Sequence, residues 1–526
     1  MRALLLHPDR DFDPRLLLQE RYRRDPEPEW HQQLLPHERD LVQDLELDTL
    51  LAAMAGGDQF LLGVVRKVLL SAFQNDASVV AYRQQALRDS LNNPEAIRNL
   101  YALAVDAIDM SRKHAWGLST HYPSSLLYES LELLESLSAM LRQLRVMAAS
   151  HAARFFSAAF TSLFVLLLKE LDDAYLSTIT TDLKDLKFRR GVLFSAELGP
   201  WNESDNYVLR FVGDKDPTWW QRIFGQRLPG LTFRIHERDE AGARILGNMR
   251  QRAISRVALA LAESADHVLR FFKTLRTELA FYVACLNLHD RLLAKGEPVV
   301  LPVPDPPGTR TLSFRGLYDA CLTLHKETRL VGNDTVADSK NLLVVTGANQ
   351  GGKSSFLRSI GLAQVMMQAG MFVGAEAFRA ELCSVLLTHY KREEDTTMTS
   401  GKLDEELARM SSLAERLRPY SILLFNESFA ATNEREGSEI ARQVVTALLE
   451  KRIKILYVTH LYDFARGFLP RQDALFFRPE RLADGTRTFR LLEAEPLETS
   501  FGEDLYRETF ENRETEQIQP APNLST

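Results

Sequence analysis

The chain of 526 residues carries 64 Lys and Arg against 71 Asp and Glu, a formal net charge of −7, and its pI lies near 6.0. With 45% hydrophobic and 26% charged residues, it has the make-up of a soluble globular protein with room for about three or four domains. That balance excludes a uniformly basic nucleic-acid binder, so any DNA contact must come from local basic surface. Its three cysteines, Cys285, Cys321 and Cys383, stand far apart without a C-x-x-C pair, as in a reducing cytoplasm.

Residues 1–35 are rich in Pro and Arg and read as an N-terminal arm, with too short an apolar run and too many acids for a signal peptide. Residues 36–187 read as a helical core and first lever, because Gly and Pro are scarce and apolar residues recur at three- and four-residue spacing. Residues 79–91 form one such helix, with Arg83, Gln84, Gln85 and Arg88 on its polar face. The span 151–186 predicts one helix of about 35 residues, long for a compact domain. It contains the longest apolar stretch, 155–168, which is shorter than the ~18 residues of a membrane span and predicts a buried helix. Cytoplasmic location without a membrane partner is therefore expected.

At residue 188 the texture changes to short β-like runs among Gly, Pro, Asn and Asp. Residues 188–236 predict a small β insert, mildly basic, with Trp201, Trp219 and Trp220 among its arginines. Arg189, Arg190, Arg210 and Lys215 are its candidate DNA contacts; a solvated β excursion with inward-packed Trp residues reads equally well. Residues 237–296 predict a second lever and core helices, with interruptions. Residues 297–310, EPVVLPVPDPPGTR, read as a Pro-rich linker. From 311 to 510 strand-like runs (342–346, 384–389, 422–425, 455–459) alternate with helices, the pattern of a parallel nucleotide-binding sheet. Residues 511–526 are polar and read as a disordered tail.

The chemistry concentrates in 342–355, LLVVTGANQGGKSS. An apolar run is followed by G-x-x-x-x-G-K-[ST] and then by helical spacing, the pattern of a phosphate-binding P-loop. Glycines let successive N–H groups turn inward around a phosphate, and the helix N-terminus adds positive potential. Gly347, Asn349, Gly351 and Gly352 supply the cradle, Lys353 reaches the β/γ-phosphates, and Ser354 and Ser355 complete the site. ATP and Mg²⁺ are the implied ligands. Residues 421–427, SILLFNE, form a strand ending in two polar residues. Asn426 stands where such ATPases carry a metal-holding Asp, beside Glu427, which is placed to polarise the attacking water. Ser354 and Asn426 are thus the metal candidates. A second strand ends at Thr459–His460, where His460 is placed to sense the γ-phosphate. Ser400 and Gly401 form a Ser-Gly pair at a helix start, able to present N–H groups to an anion.

Together these features resemble the MutS family of DNA mismatch repair ATPases, a branch of the ABC-type ATPases. The resemblance is close over 333–460: TGANQGGKS at 346–354 is similar to the family's phosphate loop, Ser400 and Gly401 to its signature Ser-Gly, Asn426 and Glu427 to its Asp-Glu, and Thr459 and His460 to its Thr-His. Weaker similarity covers 76–91, 278–288 and 488–502. The β insert falls where the family carries its DNA clamp between two levers. The resemblance implies a homodimer in which Ser400 and Gly401 complete the partner's ATP site, with slow hydrolysis acting as an allosteric switch on mismatched or branched DNA. The departures are Asn426, the segment SFAATNEREG after Glu427, and a start at the core helices without room for the family's mismatch-reading and connector domains. The family's Phe-x-Glu wedge occurs only at 425–427 and 501–503, and no nuclease-like domain is expected after 510. The expected fold is thus multidomain: a mainly α core and lever region with a small β clamp-like insert, then an α/β P-loop (ABC-type) ATPase domain. A nucleotide-binding regulatory or scaffold protein of the same family, with weak or no hydrolysis, is the alternative.

Overall fold

The structure, a computed structural model, describes residues 2–12, 34–74, 76–114, 122–188, 191–199, 204–210, 234–236, 238–347, 351–392, 401–482 and 486–498. In chain order these fold as α1 (Pro36–Asp44), α2 (Leu47–Ala55), α3 (Gln59–Leu70), α4 (Ala77–Asn92), α5 (Pro94–His114), α6 (Pro123–His151), α7 (Ala158–Glu170), α8 (Asp173–Asp185), β1 (Leu193–Leu198), β2 (Ser204–Arg210) and α9 (Glu240–Ala294). There follow β3 (Val303–Asp305), β4 (Leu312–Leu317), α10 (Ala320–His325), β5 (Asn333–Val336), β6 (Leu342–Val345), α11 (Lys353–Ala369), β7 (Ala377–Glu381), β8 (Leu386–Tyr390), α12 (Lys402–Ala414), β9 (Ile422–Asn426), α13 (Glu434–Glu450), β10 (Lys454–Val458), α14 (Tyr462–Gly467), β11 (Ala474–Arg481) and β12 (Arg487–Glu493). Several helices start where a side chain takes up otherwise unpaired first-turn amides, as Asp58 does for Phe60 and Leu61, Asp76 for Val79 and Asn433 for Glu436.

The chain divides into two compact units. One comprises residues 1–3, 95–155 and 160–279. Its core is an apolar seam in which Leu127 and Leu131 of α6, Leu183 of α8 and Ile254 and Ala258 of α9 are buried, with Val192, just before β1, and Leu209 of β2 packed against them. The β1–β2 hairpin is antiparallel, with Leu193 opposite Arg210.

Two expectations about helix continuity are corrected. The predicted single helix over 151–186 is broken: α6 ends at His151, a 3₁₀ turn covers Ala152–Arg154, and α7 and α8 follow separately. Polar capping causes the breaks. Asp172 accepts from the Tyr175 amide to start α8, and the Asp89 carboxylate accepts from the amides of Phe156 and Ser157 at 2.9 and 2.7 Å. Within α7 itself, Phe160, Leu163, Phe164 and Leu167 are buried but Val165 is exposed, so the apolar stretch is one-sided. Conversely α9 runs without interruption for 55 residues. Ser264 and Thr277 are accommodated because their hydroxyls donate to the carbonyls of Ala260 and Lys273, one turn back.

The other unit comprises residues 4–94, 156–159 and 280–526. Its six-stranded sheet has the order β12-β11-β6-β10-β9-β8. Strands β11, β6, β10, β9 and β8 are parallel and β12 is an antiparallel edge. Strands β6, β8 and β10 are buried along their whole length, as parallel strands covered on both faces must be. A second sheet, β3-β7-β4-β5, draws its edge strand from the Pro-rich stretch: Val303–Asp305 pairs in parallel with β7, an edge being where a strand tolerates proline.

The start of the chain is packed in this unit. Leu5 and Leu6 are buried, Tyr82 and Tyr282 donate to the carbonyls of Leu4 and Leu5, and Arg83 donates through Nε to the Leu6 carbonyl at 2.8 Å. Arg83 was expected on a polar face of its helix. It is instead only 1% exposed, its guanidinium taken up by the carbonyls of Leu6 and Ala369 and by His7.

Candidate functional site

Strand register assembles the site. Val345 of β6 lies opposite Val458 of β10, and Val458 lies opposite Asn426 of β9. The three strands therefore end in step, and the residues that follow them emerge at one edge of the sheet: the loop from Thr346, Glu427, and Thr459–His460. This is the carboxyl end of a parallel sheet, where open α/β sheets bind ligands.

The loop between β6 and α11 turns on two glycines. Gly347 has φ +107 and Gly352, which caps α11, has φ +89. A Cβ at Gly347 would lie 3.1 Å from Cδ of Pro479, so the β11–β12 hairpin walls the loop and would have to give way to a side chain, which the positive φ disfavours in any case. Gly351 is buried and Ser354 exposed. Asn349 lies outside the described residues.

Lys353, the first residue of α11, is 5% exposed. Its Nζ donates to the Gly347 carbonyl at 2.8 Å and lies 3.4 Å from Nε2 of His460. Burial lowers its pKa to about 8, with Arg487 of β12 pushing the same way and Glu427 opposing. An ammonium held in this way, at the N-terminus of a 17-residue helix, suits a multiply charged anion. Ser354 Oγ donates to Oδ1 of Asn426 at 3.2 Å, which brings the two metal candidates together. Among the described residues no group of three or more His, Cys, Asp or Glu is arranged to hold a metal. A cation here would therefore have few protein ligands, as Mg²⁺ has when phosphates supply the rest.

Glu427 adopts φ +55, its amide donates to the Val458 carbonyl, and its Oε1 lies 3.1 Å from Nε2 of His460. The hydrogen bond from His460 holds its carboxyl below the usual range, aided by the charge of Lys353. Thr459 is buried and its hydroxyl accepts from the Leu461 amide, fixing the turn that presents His460. Gly347, Gly352, Lys353, Ser354, Asn426, Glu427 and His460 are thus brought together. Gly401 caps α12, while Ser400 lies outside the described residues, as do Arg189, Arg190 and Lys215. Arg210 is exposed on β2, its Nε donating to Ser195 Oγ.

Sequence reasoning missed the wall of the site. Pro479, Arg487 and Phe489 come from the last hairpin, more than a hundred residues downstream, and nothing local marks them. It also missed Glu406, whose carboxylate accepts from the amide of Phe429 at 2.8 Å, two residues past Glu427.

Two stretches match family models. Residues 75–295 match the MutS2 N-terminal domain and residues 343–473 match MutS domain V. The chain belongs to the MutS family. It is similar to the mouse protein named MutS protein homolog 4, at 27% identity over 178 residues, 34% of this chain and 18% of that one. It is similar to a Thermus thermophilus protein named endonuclease MutS2, at 30% identity over 141 residues, 26% of this chain and 19% of that one. It is also similar to the Thermus aquaticus DNA mismatch repair protein MutS, at 27% identity over 179 residues, 34% of this chain and 22% of that one. The matched stretches span about a fifth of the length of these relatives. The recognition from motifs and the family matches agree, and MutS domain V falls on the glycine loop and the strands beside it. No helix among the described residues is long and apolar enough to cross a membrane.

Proposed function

We propose that this chain binds ATP with Mg²⁺ through a P-loop of the ABC type, hydrolyses it slowly, and uses nucleotide state to switch a dimeric clamp on mismatched or branched DNA in mismatch repair or recombination. Members of the MutS family are ATPases. The observation that carries the reading for this chain is the convergence of Lys353, Ser354, Asn426, Glu427 and His460 on one sheet edge beside the glycine loop. When bound, the nucleotide supplies the phosphoanhydride bond and Mg²⁺ neutralises charge on its phosphates. The loop amides and Lys353 would hold the phosphates; Ser354 and Asn426 would hold the cation. Glu427, kept ionised by His460, would orient a water and take its proton on the carboxylate. By family resemblance, Ser400 and Gly401 would complete the partner's site, and Arg189, Arg190, Arg210 and Lys215 of the β insert would meet the DNA backbone. A cytoplasmic homodimer is part of the same reading.

Asn426 favours a second reading. An amide brings no charge to the cation, which weakens Mg²⁺ binding and supports a nucleotide-binding regulatory or scaffold protein with little hydrolysis.

The deciding experiment is ATP hydrolysis by the purified protein with no DNA and with perfect, mismatched and branched duplexes, beside Glu427→Gln. We expect turnover that responds to one DNA class, and a Glu427→Gln variant that binds ATP and retains it, with turnover about 10²-fold lower or less. Normal turnover in that variant removes Glu427 from the chemistry. Binding without turnover in the wild type moves the protein to the regulatory reading.

A further inference from the structure

Two non-glycine residues in left-handed conformation, Glu427 (φ +55) and Phe429 (φ +61), flank Ser428. Such backbone persists only where its surroundings over-determine it, and here the restraints can be named. The Glu427 amide donates to the Val458 carbonyl of β10. Tyr457 Oη donates to the Ser428 carbonyl at 2.7 Å. Ser428 Oγ lies 2.8 Å from Nδ1 of His389 and 2.5 Å from the His389 carbonyl. The Phe429 amide donates to Glu406 Oε2 at 2.8 Å. His389, Ser428, Phe429 and Tyr457 are fully buried and Glu406 is 6% exposed.

The protonation of this network follows from its geometry. Nε2 of His389 lies 3.0 Å from the Glu406 carbonyl, which can only accept, so Nε2 carries the proton. Burial, with Arg409 beside it, holds the His389 pKa down to about 4, so the ring is neutral; the single Ser428 hydroxyl proton goes to the His389 carbonyl, and Nδ1, 2.8 Å from the same oxygen, is its alternative acceptor. Both the backbone carbonyl and the side chain of Glu406, on the second turn of α12, are therefore bound to the strand-end assembly around Glu427. Gly401 caps that same helix.

We propose that Glu406, His389 and Ser428 are positioning residues that set the left-handed backbone at Glu427 and couple helix α12, capped by Gly401, to the carboxylate that activates water. This rests on the reading of Glu427 given above and adds a route by which occupancy at the head of α12 regulates it. A shift of α12 pulls on the Phe429 amide through Glu406, and the strained turn carries that movement to the carboxylate two residues away.

The test uses the full chain and four variants: Glu406→Ala, Ser428→Ala, Glu406→Gln and Glu427→Gln. Glutamine keeps a carbonyl oxygen to accept from Phe429, so Glu406→Gln is the rescue. We expect Glu406→Ala and Ser428→Ala to lower kcat by about 10²-fold, the loss that a misplaced catalytic group incurs. ATP affinity should stay within about twofold, and Glu406→Gln should stay near wild type. The amides of Glu427 and Phe429 should exchange faster with solvent deuterium in both alanine variants but not in Glu406→Gln. Wild-type kcat in both alanine variants, with Glu427→Gln inactive, overturns the coupling and leaves the reading of Glu427 standing. If the wild type itself fails to turn over ATP, that reading fails and amide exchange alone decides the positioning: rates unchanged in the alanine variants overturn it, and selective acceleration sustains it.

Discussion

Nε2 of His460 lies 3.1 Å from Oε1 of Glu427 and 3.4 Å from Nζ of Lys353. One ring nitrogen cannot donate to the carboxylate and accept from the ammonium at once. The shorter, charge-assisted contact prevails, so His460 carries its proton on Nε2 and gives it to Glu427, while Lys353 turns to the Gly347 carbonyl. The carboxylate is thereby kept ionised through the neutral range, and its low pKa follows from that hydrogen bond first.

If Lys353 holds the phosphates as proposed, nucleotide binding weakens at alkaline pH. Burial lowers its pKa from 10.5 to about 8, so the ammonium discharges as pH rises through 8. The sign is opposite for folding and for binding. The stability cost of burying the charge is fully present below pH 8 and fades between 8 and 10.5. Anion binding, which needs the charge, weakens above 8 by up to about tenfold per pH unit. Calorimetry at pH 8 in two buffers of different ionisation enthalpy should show proton uptake on nucleotide binding, and Lys353→Ala should abolish binding. No proton uptake would mean that Lys353 is charged throughout.

On the proposed reading, Asn426 would set the affinity for the cation. Its Oδ1 accepts from Ser354 Oγ, and Asn426→Asp adds a full negative charge at the same position. Nucleotide-dependent Mg²⁺ affinity should rise by about tenfold, since ligand charge tunes such sites. An identical Mg²⁺ titration in both proteins removes Asn426 from the metal shell.

The ion pair of Lys454 and Glu381 is a point of stability in the second unit. The side chains are 4% and 7% exposed and 2.8 Å apart, and Glu381 also accepts from the amides of Gly308 and Arg310. Lys454→Met strands a buried carboxylate and should cost about 3–5 kcal/mol in urea unfolding followed by circular dichroism. Adding Glu381→Gln should recover part of it, because a neutral amide still accepts from both N–H groups. A single-variant loss below about 1 kcal/mol would show that Glu381 is hydrated or protonated instead.

Arg210, exposed on the hairpin of the first unit, tests the DNA reading. Phosphate contacts give a log–log salt dependence of about −0.9 per phosphate neutralised. Arg210→Ala should weaken every DNA class alike and make that slope shallower by about 1. An unchanged slope would take Arg210 off the DNA, and no binding by the wild type would favour the scaffold reading.

The strands of the six-stranded sheet and the glycine loop were legible because their signals are local. Strands buried on both faces read as unbroken apolar runs, as at residues 342–345 and 422–425. A loop that turns on Gly347 and Gly352 must write those glycines into the sequence. Family resemblance added the pairing of Asn426 with Glu427 and of Thr459 with His460, which strand register then brought to one edge. Helix continuity was not legible. Periodicity does not reveal that Asp89 will cap the break at Phe156 and Ser157 from 67 and 68 residues away, nor that Ser264 and Thr277 satisfy themselves inside α9.

The sequence alone thus determined the glycine, lysine and serine spacing of the loop between β6 and α11, since such spacing is a property of a few adjacent positions. Tertiary structure alone decided what surrounds them. Arg83 reads as a surface arginine and is buried because carbonyls of Leu6 and Ala369 converge on it. Pro479 and Phe489 close the loop, and His389 and Glu406 hold the turn after Glu427. Each of these depends on partners that only chain folding brings within 3–4 Å, and the free energy of burying a polar group changes sign with whether such a partner is there.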